Sequence, residues 1–309
     1  MRLNQALVIL PVATYALAQS TTKLFNFTSD IDIENSATRP NGNLLLTTFE
    51  KGRLYQLNPL QHAPQAELVA ALPGATALCG IAPIDLDKFA VIGGVRGHYS
   101  YVNETVYTVD FSQNPTKPTI QTISRIPEAV MLNGLASMPS QPHVVLIGDA
   151  RRGAIFRVDT ATGSSQVTFK DEALTAPANA SIPIGINGLK VFGNNVFFTN
   201  SARNIFAKIP VSDDGLTFGS VQIIAHLETR KSGEDWDDFI IDTDGIAYVA
   251  QPNNSLARIT LDGEISVIAG GGNSTILARP TSVQISKDGK SLYVMTGAGS
   301  IVEVKIPRD

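Results

Sequence analysis

The chain of 309 residues contains a single cysteine, Cys79, so no intrachain disulfide can form. A chain without disulfides needs a large hydrophobic core. We expect Cys79 to be a small buried hydrophobic residue and not a nucleophile. The sequence also lacks any run of Lys or Arg, and its formal net charge is −4. These two features argue against a groove that binds nucleic acid.

Several catalytic motifs are absent as well. The sequence has no G-x-S-x-G elbow, no H-E-x-x-H pair, no C-x-x-C pair and no Walker loop. Helical periodicity is nearly absent, and short β-rich runs alternate with Gly, Asn, Asp and Pro turns. The sequence therefore predicts an all-β protein and disfavours a Ser–His–Asp hydrolase.

The first residues resemble a targeting segment. "MRLNQALVILPVATYALAQS" has a basic residue, a short apolar run and a small-residue ending, which predicts a signal peptide over residues 1–18, cleaved before Gln19. An uncleaved anchor is the alternative, although the apolar run is short for a bilayer span. Five N-x-[ST] sequons follow, which favours a glycosylated protein of the secretory pathway, secreted or held in a vesicular or vacuolar lumen. The sequons are at Asn26, Asn103, Asn179, Asn253 and Asn273.

One pattern of strands recurs six times after residue 19. Each copy has a short strand, a turn, an apolar second strand, a polar loop and an alternating third strand, and most have a fourth. The copies are spaced by roughly 40–50 residues, as in a four-stranded propeller blade. They begin at Glu34, Cys79, Asn133, Asn187, Asp237 and Thr281. The sequence predicts one six-bladed β-propeller domain over residues 19–309.

The last copy ends after its third strand, while "TKLFNFT" lies unassigned near the N-terminus. We predict that this N-terminal strand completes the last blade and closes the ring, which removes an exposed sheet edge.

The first strand of each propeller blade lines the central channel, so the six starting residues form a ring at its mouth. Asp237 then faces a polar cavity, and Asp238 points the other way or caps the turn. The carboxylates of Glu34 and Asp237 with the carboxamides of Asn133 and Asn187 suit a hard divalent cation. Ordered water is an equal alternative, and burial of one carboxylate would suit it to acid–base work.

Loops on the same face supply further candidates. Phe49, Tyr99 and Trp236 are predicted apolar walls of a pocket, and Asn200 and Asp149 are predicted polar contacts for its ligand. Packing of Trp236 between blades is the alternative. His98 alone among the histidines lies in such a loop, and a lone histidine there is more often incidental than catalytic.

The ring residues and their surroundings resemble the superfamily of senescence-marker protein, gluconolactonase and luciferin-regenerating enzyme. In that superfamily a divalent metal at the channel mouth is held by a glutamate, asparagines and an aspartate. The resemblance places Glu34 in "IEN", Asn133 in "LNGLA", Asn187 in "INGLK" and Asp237 in "WDDF" at those positions. It implies a possible Ca, Mg or Zn ion.

The sequence departs from the lactonase branch, because its second blade has "GGVRGHYSYVNE" in place of an "NDGKxDxxGR"-like stretch. The phrase "ENSATRPNGNLLLTTFEKGRLYQL" is similar to a fungal subgroup that includes the hetero-Diels–Alderases of tropolone–sesquiterpenoid biosynthesis. That resemblance implies a meroterpenoid-forming enzyme that joins an o-quinone methide tropolone to a humulene-type sesquiterpene and requires no cofactor.

This reading assigns Asn133, Asn187 and Asp237 to the oxygens of the diene and Glu34 to proton acceptance. Two alternatives stay open: a metal-dependent lactonase or esterase, and a propeller that binds a ligand without turnover. Small molecules are the expected partners, with no nucleic acid and no membrane span after signal cleavage. The sequence does not indicate an oligomeric state.

Overall fold

A computed structural model describes residues 19–227, 235–272 and 274–306. Within these residues, 24 strands form six four-stranded antiparallel sheets, arranged as the blades of a β-propeller. The one helical element described is a 3₁₀ turn, Glu172–Leu174. The prediction of an all-β, six-bladed propeller is confirmed, and the predicted signal peptide lies outside the described residues.

The strands of each blade follow one another in the chain, from the channel outward. Blade 1 comprises β2 (Ile33–Thr38), β3 (Leu44–Thr48), β4 (Arg53–Leu57) and β5 (Glu67–Ala71). Blade 2 comprises β6 (Ala77–Asp85), β7 (Lys88–Arg96), β8 (Tyr101–Asp110) and β9 (Thr119–Arg125). Blade 3 comprises β10 (Leu132–Met138), β11 (Gln141–Asp149), β12 (Ala154–Asp159) and β13 (Ser165–Lys170).

The second half of the ring repeats this plan. Blade 4 comprises β14 (Ile186–Phe192), β15 (Asn195–Asn200), β16 (Ile205–Pro210) and β17 (Gln222–His226). Blade 5 comprises β18 (Phe239–Ile241), β19 (Ala247–Gln251), β20 (Ser255–Ile259) and β21 (Ile265–Gly270). Blade 6 comprises β22 (Pro280–Ile285), β23 (Ser291–Thr296), β24 (Ser300–Lys305) and the N-terminal β1 (Thr21–Asn26).

Strand β1 closes the ring as the sequence predicts. It pairs antiparallel with β24, with Thr21 opposite Val304 and Asn26 opposite Ser300. The first and last described strands therefore share one sheet, and blade 6 has no unpaired edge on β24. The innermost strands β2 and β22 also contact each other, which joins blade 6 to blade 1.

The hydrophobic core lies between neighbouring blades. The second strands are buried along most of their length: every residue of β3, β19 and β23 is buried. The outermost strands, such as β5, are largely exposed or half-buried, because only one of their faces packs on the next blade. Six separate clusters of buried side chains fill the six interfaces between blades.

A buried ion pair ties three blades together inside the channel. The ammonium of Lys190 in blade 4 lies 2.6 and 2.7 Å from the two carboxylate oxygens of Asp238, at the start of blade 5. The Asn35 side chain of blade 1 donates to the same carboxylate at 2.8 Å. Asp238 therefore turns away from the channel mouth, as predicted from the sequence.

Four of the five sequon asparagines lie on the surface. Asn26, Asn103, Asn179 and Asn253 are exposed, and Asn273 lies outside the described residues. Exposure makes these sites accessible to a glycosyltransferase, and glycosylation and entry into the secretory pathway stay predictions. No helix among the described residues is long and apolar enough to cross a membrane.

We predict that Lys190→Met lowers the free energy of unfolding by about 3–5 kcal/mol, because it leaves the buried Asp238 carboxylate without its cation. Denaturant unfolding at neutral pH measures the change. Lys23→Met, at an exposed lysine of β1, is the matched control. Equal unfolding midpoints for the two variants would contradict this role for the ion pair.

Candidate functional site

The ring positions coincide with irregularities in the innermost strands. The register of each ladder shifts between Ile33 and Asn35 in β2, Leu132 and Leu135 in β10, and Ile186 and Leu189 in β14. A β-bulge bends a strand and redirects the side chains at that point. The bulges fall at Glu34, Asn133 and Asn187, three of the predicted ring residues, and all three side chains line the channel mouth.

Glycines beside the ring residues let neighbouring blades approach closely. A Cβ on Gly80 would lie 2.5 Å from the carbonyl oxygen of Asn133, and a Cβ on Gly134 would lie 2.3 Å from that of Asn187. A Cβ on Gly188 would lie 2.5 Å from a carboxylate oxygen of Asp238. In each Asn-Gly pair, the asparagine side chain therefore points into the channel, and the glycine, which has no side chain, packs its backbone against the next blade.

The ring residues and the loops beside them enclose a pocket of about 490 Å³ at the channel mouth. Six predicted site residues line it: Glu34, Asn133, Asn187, Asp237, Phe49 and Tyr99. The structure thus brings together residues more than 200 positions apart, as the repeat register predicts. Other lining residues are Asp32, Arg96, His98, Tyr101, Met131, Ile182, Ile184, Ser201, Asp235, Arg279 and Thr281.

The prediction that Trp236 forms a pocket wall is wrong. The indole is fully buried between blades 4 and 5, among Phe197, Phe206 and Phe239. The alternative, packing between blades, is the one that holds. The main chain of Trp236 still serves the site, because its carbonyl oxygen accepts a hydrogen bond from the Ser201 hydroxyl at 2.8 Å.

The prediction that Asp149 and Asn200 contact the ligand is wrong, because both side chains form hydrogen bonds with main-chain groups of nearby loops. The Asp149 carboxylate is fully buried and accepts hydrogen bonds from four main-chain N–H groups, those of Val130, Met131, Arg151 and Arg152. The Asn200 amide donates to the carbonyls of Ala173 and Thr175. Because these loops need their own polar groups satisfied, the two side chains turn inward.

Cys79 holds a ring position but does not reach the pocket. Its side chain is buried and forms a hydrogen bond with Tyr101, which does line the pocket. Burial raises the pKa of the Cys79 thiol well above its usual value, which keeps it protonated and unreactive. His98 lines the mouth, and its ring lies 4.5 Å from that of Tyr99 in an edge-to-face arrangement.

Asn187 is the most constrained side chain of the floor. Its amide nitrogen donates to the Ser201 hydroxyl at 2.9 Å, while its amide oxygen is buried without a hydrogen-bond partner among the described residues. An unpaired buried acceptor costs free energy unless a ligand satisfies it. Asn187 therefore presents an oxygen to a hydroxyl group or a cation in the pocket.

Burial holds protons on the carboxyl groups of the floor. Burial raises the pKa of Glu34 to about 8; the Arg96 guanidinium opposes this shift, and Asp238 and Asp32 add to it. Burial and the negative charges of Glu34, Asp235 and Asp238 raise the pKa of Asp237 well above its usual range. Burial also raises the pKa of Asp235 to about 6. At neutral pH the floor therefore contains protonated carboxyl groups.

Another buried carboxyl group, that of Glu104, lies outside the pocket lining, and no sequence pattern selects it. Glu104 in β8 accepts a hydrogen bond from the Leu132 N–H at 2.6 Å. With Asp149 it therefore binds three consecutive N–H groups, those of Val130, Met131 and Leu132. These residues lead directly into Asn133. The only signal available was an acidic residue inside a strand of otherwise buried side chains, "VNETVYTVD".

The residue types of the ring fit a hard divalent cation. Glu34, Asp237, Asn133 and Asn187 offer oxygen donors, and the unpaired Asn187 oxygen is one of them. Among the described residues, no cluster of three or more His, Cys, Asp and Glu side chains with metal-binding geometry occurs. A cation here would therefore depend on both amide oxygens in addition to the carboxylates.

The fold and the site define a six-bladed β-propeller with a polar pocket at the channel mouth. Its blade arrangement matches that of luciferin-regenerating enzyme, with a TM-score of 0.66, 14% identity, and coverage of 93% of this chain and 95% of that one. The calcium-binding protein regucalcin from Agrobacterium tumefaciens gives a TM-score of 0.64 at 16% identity, covering 94% and 96% of the two chains. At these identities the likeness concerns the fold.

Two proteins are similar in sequence over most of the chain. A "Putative hetero-Diels-Alderase" of Phoma sp is 29% identical, over 89% of this chain and 87% of the relative. A "Putative hetero-Diels-Alderase asR5" of Sarocladium schorii is 27% identical, over 88% and 76%. No protein-family model matches the chain. The resemblance inferred from the sequence is thus confirmed by both the propeller structures and these relatives.

We predict that Glu104→Gln changes how stability depends on pH. Burial raises the pKa of Glu104 to about 8 from its ordinary value of 4.5, so between these values the unfolded chain loses a proton that the folded chain keeps. Stability of the wild type then falls with rising pH through this window, by roughly 1.4 kcal/mol per pH unit for this group. Gln keeps the acceptor oxygen for Leu132 and carries no charge.

The measurement is the free energy of unfolding of both proteins from pH 4 to pH 9. The advantage of Glu104→Gln over the wild type grows between pH 4.5 and 8 and is constant above that. A difference between the two proteins that does not vary with pH would show that Glu104 titrates normally.

Proposed function

We propose that this chain is a pericyclase that joins an o-quinone methide tropolone to a humulene-type sesquiterpene by a hetero-Diels–Alder cycloaddition. Similarity over nearly 90% of the chain to two proteins carrying the hetero-Diels-Alderase name supports the reaction class. The observation that carries the proposal is the pocket itself, which combines a buried, proton-bearing floor with apolar walls in about 490 Å³. That volume is in the range of sites that enclose drug-sized molecules.

The two sides of the pocket suit two unlike partners. The floor presents Glu34, Asp237 and the two ring asparagines to an oxygen-rich ring. Met131, Ile182 and Ile184 line another part of the wall and suit the hydrocarbon. Holding the two reactants in register lowers the entropic part of an intermolecular barrier by several kcal/mol, and by as much as about 7–11 kcal/mol in well-oriented cases.

Loss of water from a hydroxymethyl tropolone would generate the reactive diene. A protonated carboxyl of the Glu34–Asp237 pair donates its proton to the departing hydroxyl, and the C–O bond breaks. The ring hydroxyl then returns a proton to the carboxylate, so one water is released and the carboxyl regains its starting state. Because its pKa is raised, Glu34 begins the reaction protonated. It donates a proton to the departing hydroxyl first and accepts a proton from the ring hydroxyl afterwards.

The cycloaddition itself transfers no proton. One C–C bond and one C–O bond form between the diene and the alkene, and charge builds on the tropolone oxygens as the electron-poor diene reacts. Amide donation from Asn133 and hydrogen bonds from protonated Asp237 would stabilise that charge in a site of low polarity. The unpaired Asn187 oxygen is suited to accept from a ring hydroxyl before water is lost.

We expect Glu34→Gln and Asp237→Asn each to lower the rate of product formation from a hydroxymethyl tropolone and humulene by roughly 10²-fold or more. Both changes remove the proton that the departing hydroxyl needs and keep the volume of the side chain. Liquid chromatography with mass spectrometry measures the cycloadduct. Glu50→Gln is the matched control, because Glu50 follows Phe49, pairs with Arg53 and does not line the pocket.

A quinone methide released chemically inside the assay separates the two steps. With it, Glu34→Gln should recover most of its rate, because dehydration is bypassed. Wild-type rates in both variants with the hydroxymethyl substrate would refute the acid–base role. Ligand binding without any cycloadduct in the wild type would favour the non-catalytic alternative.

A metal-dependent lactonase or esterase is the second candidate, and the unpaired Asn187 oxygen beside two carboxyl groups favours it. A divalent cation held by Glu34, Asn133, Asn187 and Asp237 would supply Lewis-acid activation of an ester carbonyl and of water. The chain itself would contribute the oxygen donors and Ser201, which orients Asn187.

We predict that cycloaddition continues after exhaustive chelation with EDTA, since hydrogen bonds alone can activate the diene. Thermal unfolding with added Ca, Mg or Zn provides a second measurement, because a bound cation raises the midpoint by mass action. Asp237→Asn should abolish any such rise. Complete loss of cycloaddition on chelation, restored by one of these metals, would contradict a cofactor-free reaction.

A further inference from the structure

Arg96 is fixed at the mouth of the pocket by an aromatic ring from the neighbouring blade. It ends β7 in blade 2, and its guanidinium carbon lies 3.8 Å from the centroid of the Phe49 ring in the loop after β3. Its backbone N–H donates to the Thr76 hydroxyl at 2.9 Å. Both the start and the end of this long side chain are therefore positioned, although Arg96 is exposed.

The guanidinium has no carboxylate within ion-pair distance and no side-chain hydrogen bond in the part of the chain that the structure describes. Arg279, the other arginine of the pocket, differs because it pairs with Asp32 at 2.9 Å. Stacking on an aromatic ring covers one face of a guanidinium and leaves the N–H groups in its plane available. Arg96 thus presents unused donors to the pocket.

A planar anion with two neighbouring oxygens matches these donors. Guanidinium N–H groups bind such anions through two parallel, charge-assisted hydrogen bonds. The rings of Tyr99 and His98 line the same mouth and offer flat surfaces beside the oxygens. A hydrocarbon forms no hydrogen bond or ion pair with a guanidinium, so Arg96 favours binding of the polar substrate at this position.

We propose that Arg96, supported by Phe49, is the subsite that binds the substrate as an anion, and that its ligand is a planar conjugated acid with two adjacent oxygens. Tropolone has this chemistry, since its ring carries a carbonyl beside an acidic hydroxyl. The choice of tropolone rests on the proposed function, whereas the preference for an anion rests on the geometry of Arg96.

Binding as an anion changes the proton balance of the dehydration proposed above, because solvent, and not the ring hydroxyl, then returns the proton to the carboxylate. The ring hydroxyl has already lost its proton, so the negative oxygen expels the hydroxyl group as that group takes a proton from a floor carboxyl. The products are the neutral quinone methide, one water and one carboxylate. Solvent returns a proton to the carboxylate before the next turnover.

Isothermal titration with tropolone and with its O-methyl ether, which has the same ring and no acidic proton, tests this subsite. At a pH where tropolone is ionised, the wild type should bind tropolone more tightly than the ether. Arg96→Gln should weaken tropolone binding about tenfold or more, as expected for loss of a charge-assisted pair, and change binding of the ether by less than about threefold. Arg96→Lys should fall between, because it keeps the charge and loses the planar fork.

Arg125→Gln is the matched control: it removes an exposed arginine at the end of β9 that does not line the pocket. Phe49→Leu tests the aromatic support and should add little to Arg96→Gln in the double variant. Equal losses for both probes in Arg96→Gln, or equal affinities of the wild type for the two probes, would overturn the subsite. Titration measures binding and requires no turnover. If the probes bind as expected but no cycloadduct forms, the proposed reaction is refuted and the Arg96 subsite is still supported.

Discussion

The close approach of the innermost strands around one axis is the constraint on which the site depends. Three blades meet this constraint with glycine, at Gly80, Gly134 and Gly188, where a Cβ would overlap the neighbouring blade. At the equivalent places blades 5 and 1 carry Asp238 and Asn35, whose side chains bond to each other across the channel. Small residues on one side thus make room for polar residues on the other, and Lys190 neutralises the charge that results. Below the pocket, these polar groups cross the channel from one blade to another.

The buried carboxyl groups of the pocket above this layer lower the stability of the fold for the same reason that they suit the proposed acid–base role. Carboxyl groups placed on a buried floor bind protons at a pH where they would ionise in water, because the charged form is poorly solvated there. The unfolded chain gives up those protons readily, so raised pKa values lower stability as pH rises. The large cores between the blades offset this loss without any disulfide. A propeller with one cysteine can therefore keep several acidic groups in one cavity.

The repeat register was enough to predict the fold and the floor of the site, because equivalent positions of six similar strands must face one axis. Loop side chains were not predictable in this way. Asp149 and Asn200 end strands at the correct end of the propeller and Trp236 precedes one, yet each turns inward to pack between blades or to bind loop backbone. Sequence position does not reveal which backbone N–H groups will lack partners, so it could not select Glu104 or separate Arg96 from the paired Arg279.

The rim of the pocket is charged and aromatic on one side and apolar on the other. Arg96 and the aromatic side chains come from blades 1 and 2, whereas Met131, Ile182 and Ile184 come from the loops that lead into blades 3 and 4. In the proposed reaction, a polar ring and a hydrocarbon would occupy different sides of the pocket, because each would lose favourable contacts in the other's place. Since every blade supplies its loops independently, exchange of the loops before β10 and β14 alters the apolar side without disturbing the ring carboxyl groups. Under the proposed function, a propeller of this design would change its hydrocarbon partner while it keeps the carboxyl groups of its floor.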